Sequence, residues 1–132
     1  MRQRLSKFLL FALLIISLAG CEEKDFYNSK EDDELEMASL RSEIDKLSEQ
    51  IVCENNAGDW KFTAIGEKAC GGPIGYVAYS TKIDEALFLK KVDLYNQKQK
   101  AFNVKWNVVS DCRFMTPPKS VECVGGKPKL IY

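Results

Sequence analysis

Four cysteines, Cys53, Cys70, Cys112 and Cys123, fall in the C-terminal part of this 132-residue chain, and their number and spacing constrain its fold more than any other feature. They are separated by 16, 41 and 10 residues, with none of the Cys-x₂-Cys knuckles that structural zinc sites use, so no metal and no other cofactor is expected. An even number of cysteines in an exported chain points to two disulfides. Three connectivities are open, and the preference of neighbouring segments for each other favours Cys53–Cys70 with Cys112–Cys123. A unit of about 80 residues has a marginal core, and two bridges at ~2–4 kcal/mol each reinforce it.

The expectation of export comes from the other end of the chain. Arg2, Arg4 and Lys7 precede an almost unbroken apolar run, Phe8 to Leu18. That run has the length of a signal segment and is well short of the ~20 residues that a membrane-spanning helix needs. It closes on Leu18-Ala19-Gly20-Cys21, which resembles the lipobox of bacterial lipoproteins. The resemblance implies cleavage after residue 20 and a thioether-linked diacylglycerol on Cys21, with a further acyl chain, such as palmitate, on the new amine. Two or three chains at ~0.8 kcal/mol per buried CH₂ anchor a protein to membrane lipid far more firmly than one. The expected location is the outer membrane or cell surface rather than the inner membrane.

Charge is unevenly spread. Residues 22–54 carry 12 acidic and 4 basic side chains, whereas residues 55–132 carry 7 acidic and 12 basic. An acidic stretch next to anionic lipid suits a stalk that is pushed away from the surface. The basic residues, among them Lys90, Lys91, Lys98, Lys100 and Lys105, lack the aromatic interleaving of single-stranded nucleic acid binding, so they read as a solvated helix face and no nucleic acid partner is expected.

These observations divide the chain into a signal segment at 1–20, a flexible tether at 21–30, an acidic helical stalk at 31–52 and a disulfide-braced domain at 53–132. Asn28 with Glu31 predicts a capping box for the stalk. Its apolar seam of Leu40, Ile44, Leu47 and Ile51 predicts either packing on the domain or weak self-association with a second copy. In the domain, Trp60 to Ile65 and Tyr76 to Ser80 read as strands, separated by a Gly-rich turn. Thr81 with Asp84 predicts the start of a long helix over 82–103, with Ile83, Leu87, Leu94, Phe88, Val92 and Tyr95 on its apolar face. Residues 104–109 read as a further strand, and Ser120 to Cys123 with Lys129 to Tyr132 as a terminal hairpin through Gly125-Gly126-Lys127. The fold class is α+β, one long helix packed on short antiparallel strands and preceded by the stalk.

The chain has no histidine, which removes Ser-His-Asp and Cys-His nucleophile systems and histidine-ligated metals. The scattered carboxylates Asp84, Glu85 and Asp111 read as capping and turn residues, so no catalytic residue is assigned. The most distinctive internal segment is Lys68-Ala69-Cys70-Gly71-Gly72-Pro73. Its glycines allow close backbone approach and an anion-binding turn to which Lys68 adds charge, and a braced loop of this kind suits recognition through Lys68, Gly71, Gly72 and Pro73. Trp60, Tyr76, Tyr79, Tyr95, Trp106 and Tyr132 read as core or half-buried sheet residues.

Ala69-Cys70-Gly71-Gly72-Pro73, Tyr76 with Tyr79-Ser80, Ser110-Asp111-Cys112 and Cys123 followed by Gly126-Lys127 form a pattern that resembles a family of small exported bacterial proteins and lipoproteins. The resemblance spans about Gly66 to Lys127, implies a disulfide-bonded domain, and carries over no catalytic residue. The function expected is a membrane-anchored binding module that recognises a protein or an envelope component, an extracytoplasmic protease inhibitor being one form. The alternatives are a histidine-free, carboxylate-dependent hydrolase and a structural envelope stalk protein.

Overall fold

The acidic helix and the long basic helix lie antiparallel, and their charges match. The computed structural model describes residues 28–54 and 57–132, so the signal segment, Cys21 and most of the tether lie outside the described residues. Helix α1 spans Lys30–Ser48 and helix α2 spans Glu85–Lys105. Asp33, Glu36 and Glu43 of α1 pair with Lys105, Lys98 and Lys91 of α2. The three lysines are spaced seven apart, two helical turns each, and so form one stripe. The expectation of a solvated basic face is corrected here for Lys91, Lys98 and Lys105, which pair with the acidic helix, and of the two expectations for the stalk it is packing on the domain that the structure takes. Trp106, just past α2, adds an indole N–H donated to Asp33 Oδ2 at 3.0 Å.

The boundary expected at Cys53 does not separate two packing units. Leu40 and Ile44 of α1 are buried with Ile65, Val77, Tyr79, Phe88 and Val92, and Leu47 packs against them. Ile51 packs into a second cluster with Cys53, Trp60, Ala78 and Val121. The stalk's seam is therefore covered by its own chain.

The two clusters lie on opposite faces of one ribbon. Strand β1, Trp60–Ile65, pairs antiparallel with β2, Gly75–Ser80, in a register that sets Phe62 opposite Ala78 and Thr63 opposite Val77. Successive residues of β2 point to alternate faces. Val77 and Tyr79 thus meet the helices while Ala78 meets the hairpin, and all three are buried. That hairpin is β3, Ser120–Val124, with β4, Lys127–Ile131. Gly125 and Gly126, both at positive φ, form its two-residue turn, the geometry that matches the twist of paired strands. The expected α+β class holds, as three layers: helices, ribbon, hairpin.

Local starts and stops differ from expectation for identifiable reasons. The α1 box is Ser29 with Asp32: the Asp32 N–H donates to Ser29 Oγ and the Ser29 N–H to Asp32 Oδ2, both at 3.1 Å, one residue beyond Asn28 and Glu31. Helix α2 starts at Glu85 because the Asp84 carboxylate accepts from the Leu87 N–H, whereas the Thr81 hydroxyl donates instead to the Asp59 carbonyl. Leu87 and Leu94 stay exposed, and the buried stripe of α2 runs through Phe88, Val92 and Phe102. The strand expected over 104–109 does not form. Its first residues extend α2, since Phe102 and Trp106, one turn apart, dock together next to α1, and Asn107 at φ 49° then ends the helix.

The disulfide is Cys53–Cys123, with 5.3 Å between Cα atoms, which overturns both favoured pairings. Cys53 precedes β1 and shares a buried cluster with Trp60 at the strand's start, and six extended residues at ~3.3 Å each carry the chain to the far end of the ribbon before Cys70 is reached. Proximity in sequence is thus undone by one intervening strand.

Candidate functional site

Residues 66–73 form a tight loop at that far end of the ribbon, and the long irregular segment after α2 runs beside it. The loop starts at Gly66, whose φ of +77° and close approach to Ile74, 2.9 Å from where a Cβ would lie, demand glycine. Its N–H donates to Asn96 Oδ1 of α2 at 2.7 Å. Two turns along α2, Asn103 donates its amide to the Glu67 carbonyl at 2.7 Å. The loop then folds on itself: the Lys68 N–H donates to the Gly72 carbonyl at 2.8 Å and the Gly71 N–H to the Lys68 carbonyl at 2.9 Å.

The second brace comes from Ser110 to Arg113. The Lys68 side chain is buried, 8% exposed, and its ammonium donates to Asp111 Oδ1 at 2.7 Å and to the Arg113 carbonyl at 2.8 Å. The Ala69 N–H donates to Ser110 Oγ at 3.0 Å. The Lys68 ammonium, followed by the Arg113 guanidinium, holds the Asp111 carboxyl below its usual range. Lys68 is therefore a fastener buried beneath the loop, and the amides of Lys68, Ala69 and Gly71 already have acceptors within the protein.

What the loop offers outward is different. Cys70, Gly71 and Gly72 are exposed and Pro73 is half-buried. Gly71 and Gly72 have φ of +91° and +83° with open space around them. An open depression of about 610 Å³ lies between the loop and the end of α2, lined by Glu67, Cys70, Gly71, Lys100, Asn103 and Val108 among others.

Cys70 lines this depression and, like Cys112, is an exposed free thiol. The Cys70 sulfur lies 3.5 Å from Ser110 Oγ and 3.6 Å from the Asp111 carbonyl oxygen. The Cys112 sulfur lies 4.0 Å from the Ser110 carbonyl oxygen, and the neighbouring Cys112 and Ser110 side chains hold Cys70 below the ordinary thiol range, while Cys70 pushes Cys112 up.

The structure brings all four loop residues named from sequence to one place, together with Cys70 and Cys112. It removes Cys53 and Cys123 to the hairpin side. Ser110 belongs to the pattern read from sequence, whereas Asn96 and Asn103 are not singled out there, although asparagines within a long helix are a signal in themselves, because the residue disfavours helix interiors unless its amide has another use. Trp60 and Tyr79 belong to the cores, and Tyr76 donates weakly to the Met115 carbonyl at 3.5 Å. Among the described residues no helix is long and apolar enough to cross a membrane. Neither a family model, a curated protein nor a solved structure matches the chain.

Proposed function

We propose that this chain is a bacterial lipoprotein, anchored through acylated Cys21 to the outer membrane or cell surface, whose folded domain is a binding module for a protein or envelope component. Loop 66–73 and the depression beside it are its recognition surface. The observation that carries this reading is the brace under the loop: Lys68, buried, ties it to Asp111 and Arg113, while Asn96 and Asn103 tie it to α2. A loop whose exposed tip is preorganised loses little freedom on binding. The anchor rests on the lipobox residues Leu18 to Cys21.

Asp84 and Asp111, the carboxylates a hydrolase would need, are engaged as a helix cap and as the Lys68 partner. This favours recognition over turnover, and an inhibitor of an extracytoplasmic protease is one form of it.

The test places a photoreactive residue at Gly72 in the full lipoprotein and, as a control, at Leu35 on the exposed side of α1. A defined cross-linked product at position 72 that is absent at 35 is expected. Equal products at both positions, or none, reject the loop as the recognition surface. Acyl labelling of wild type against Cys21→Ala tests the anchor, and label retained in the variant rejects it.

A further inference from the structure

The four described cysteines fall into two chemical settings. Cys53 is 3% exposed within the hairpin cluster and already bridged to Cys123. Cys70 and Cys112 are exposed free thiols whose sulfurs gather at Ser110 and Asp111: Cys70 Sγ lies 3.5 Å from Ser110 Oγ and 3.6 Å from the Asp111 carbonyl oxygen, and Cys112 Sγ lies 4.0 Å from the Ser110 carbonyl oxygen. They lie on separate segments, joined through Lys68 to Asp111 and Ala69 to Ser110, so folding alone keeps the sulfurs together. No cluster of three or more metal-ligating side chains gathers among the described residues.

We propose that Cys70 and Cys112 are a thiol–disulfide exchange site, forming a second bridge that opens and closes reversibly while Cys53–Cys123 persists. Its co-reactant is a disulfide, RS–SR. The Cys70 thiolate attacks one sulfur, forming Cys70–S–S–R and releasing RS⁻, which takes a proton. The Cys112 thiol gives up its proton and attacks the Cys70 sulfur, forming the Cys70–Cys112 bond and releasing the second RS⁻. The dithiol loses two electrons and two protons, and the incoming disulfide leaves as two thiols.

Cys70 is the attacking sulfur for three reasons. It sits on the exposed loop. Its sulfur lies 3.5 Å from Ser110 Oγ, and Cys112 and Ser110 beside it favour its thiolate. The buried Lys68 charge lies beneath it. Cys112 resolves, since release of the thiolate contact after the first step frees its sulfur to attack. The site holds whether or not the loop also binds a partner.

The experiment uses the full chain in detergent without denaturant, equilibrated over ratios of reduced to oxidised glutathione, acid-quenched, alkylated and peptide-mapped. Cys70 and Cys112 are expected to lose alkylation together and to appear in one bridged peptide pair. They should regain it at more reducing ratios while Cys53–Cys123 stays closed. In Cys112→Ser a glutathione mixed disulfide should accumulate on Cys70 faster than one accumulates on Cys112 in Cys70→Ser. The proposal is overturned if the two thiols stay alkylatable at every ratio or end as separate adducts. It is equally overturned if their bridge opens only together with Cys53–Cys123. A faster adduct on Cys112 overturns the assignment of the attacking sulfur.

Discussion

Lys68 Nζ lies 2.7 Å from Asp111 Oδ1, joining two irregular segments 43 residues apart by an ammonium that is almost wholly buried. A buried charge with its partner removed is costly, whereas one with partners is directional, so this contact sets where the loop sits.

Lys68→Met is expected to release the loop while leaving the helices and ribbon folded. Hydrogen bonds to a charged group contribute ~1.5–3 kcal/mol, so amide exchange across Ala69 to Gly72 should rise roughly tenfold or more. Native-state hydrogen exchange read by mass spectrometry tests this; unchanged exchange there contradicts the brace.

The two helices should loosen in acid. Lys105, then Trp106, hold the Asp33 carboxyl below its ordinary 3.8, and Lys91 holds Glu43 below 4.5. A carboxylate with a depressed folded value contributes stability that is present above its ordinary value and disappears as pH falls through the depressed one. Denaturant midpoints should therefore decline below about pH 4, and less so in Asp33→Asn, which has already lost that contribution.

Alkali should act through a different group. Burial, with the hydrogen bond to Glu85 second, raises the Tyr79 phenol to about 12 from 10. The folded state thus keeps a proton that the unfolded chain releases, and stability present below pH 10 is lost as pH rises toward 12. The full shift corresponds to ~3 kcal/mol. Tyr79→Phe should flatten the decline between those limits, and an equally steep decline in the variant excludes Tyr79 as its source.

Two glycine substitutions should separate. Gly66→Ala places a methyl 2.9 Å from Ile74 at positive φ, whereas Gly71→Ala meets open space. The first should cost ~2–3 kcal/mol and the second ~1 kcal/mol, the left-handed backbone term alone. Chemical denaturation of both variants measures the difference, and equal losses contradict the close approach at Gly66.

Opening the Cys53–Cys123 bridge, which spans 70 residues, should cost ~4 kcal/mol in chain entropy. A Cys53→Ala, Cys123→Ala double variant should unfold at correspondingly lower denaturant, and an unchanged midpoint removes the staple from the account of stability.

Much of this fold was readable where local chemistry decides it. Trp60 to Ile65 alternates by size and forms β1 with the bounds expected, and Gly125-Gly126 marks the hairpin turn. Long-range pairing was not readable. Val104 to Val109 has strand-like residues, yet Trp106 finds Asp33 and Phe102 and prolongs the helix. The acidic run of α1 looked like a response to lipid because its partners Lys91, Lys98 and Lys105 lie far off in sequence. At the site, the glycines and Cys70 announced an unusual loop, but nothing local to Lys68 revealed that its charge is buried against Asp111, nor that Cys112 returns to Cys70.

Strand β2 has one further consequence. Val77 and Tyr79 seal the helical core while Ala78 between them seals the hairpin core. A strand that floors one chamber and roofs the other cannot fray without opening both. Melting of the helical layer and of the hairpin layer should therefore share a single transition, with the ribbon as the part of the chain that protects its amides longest.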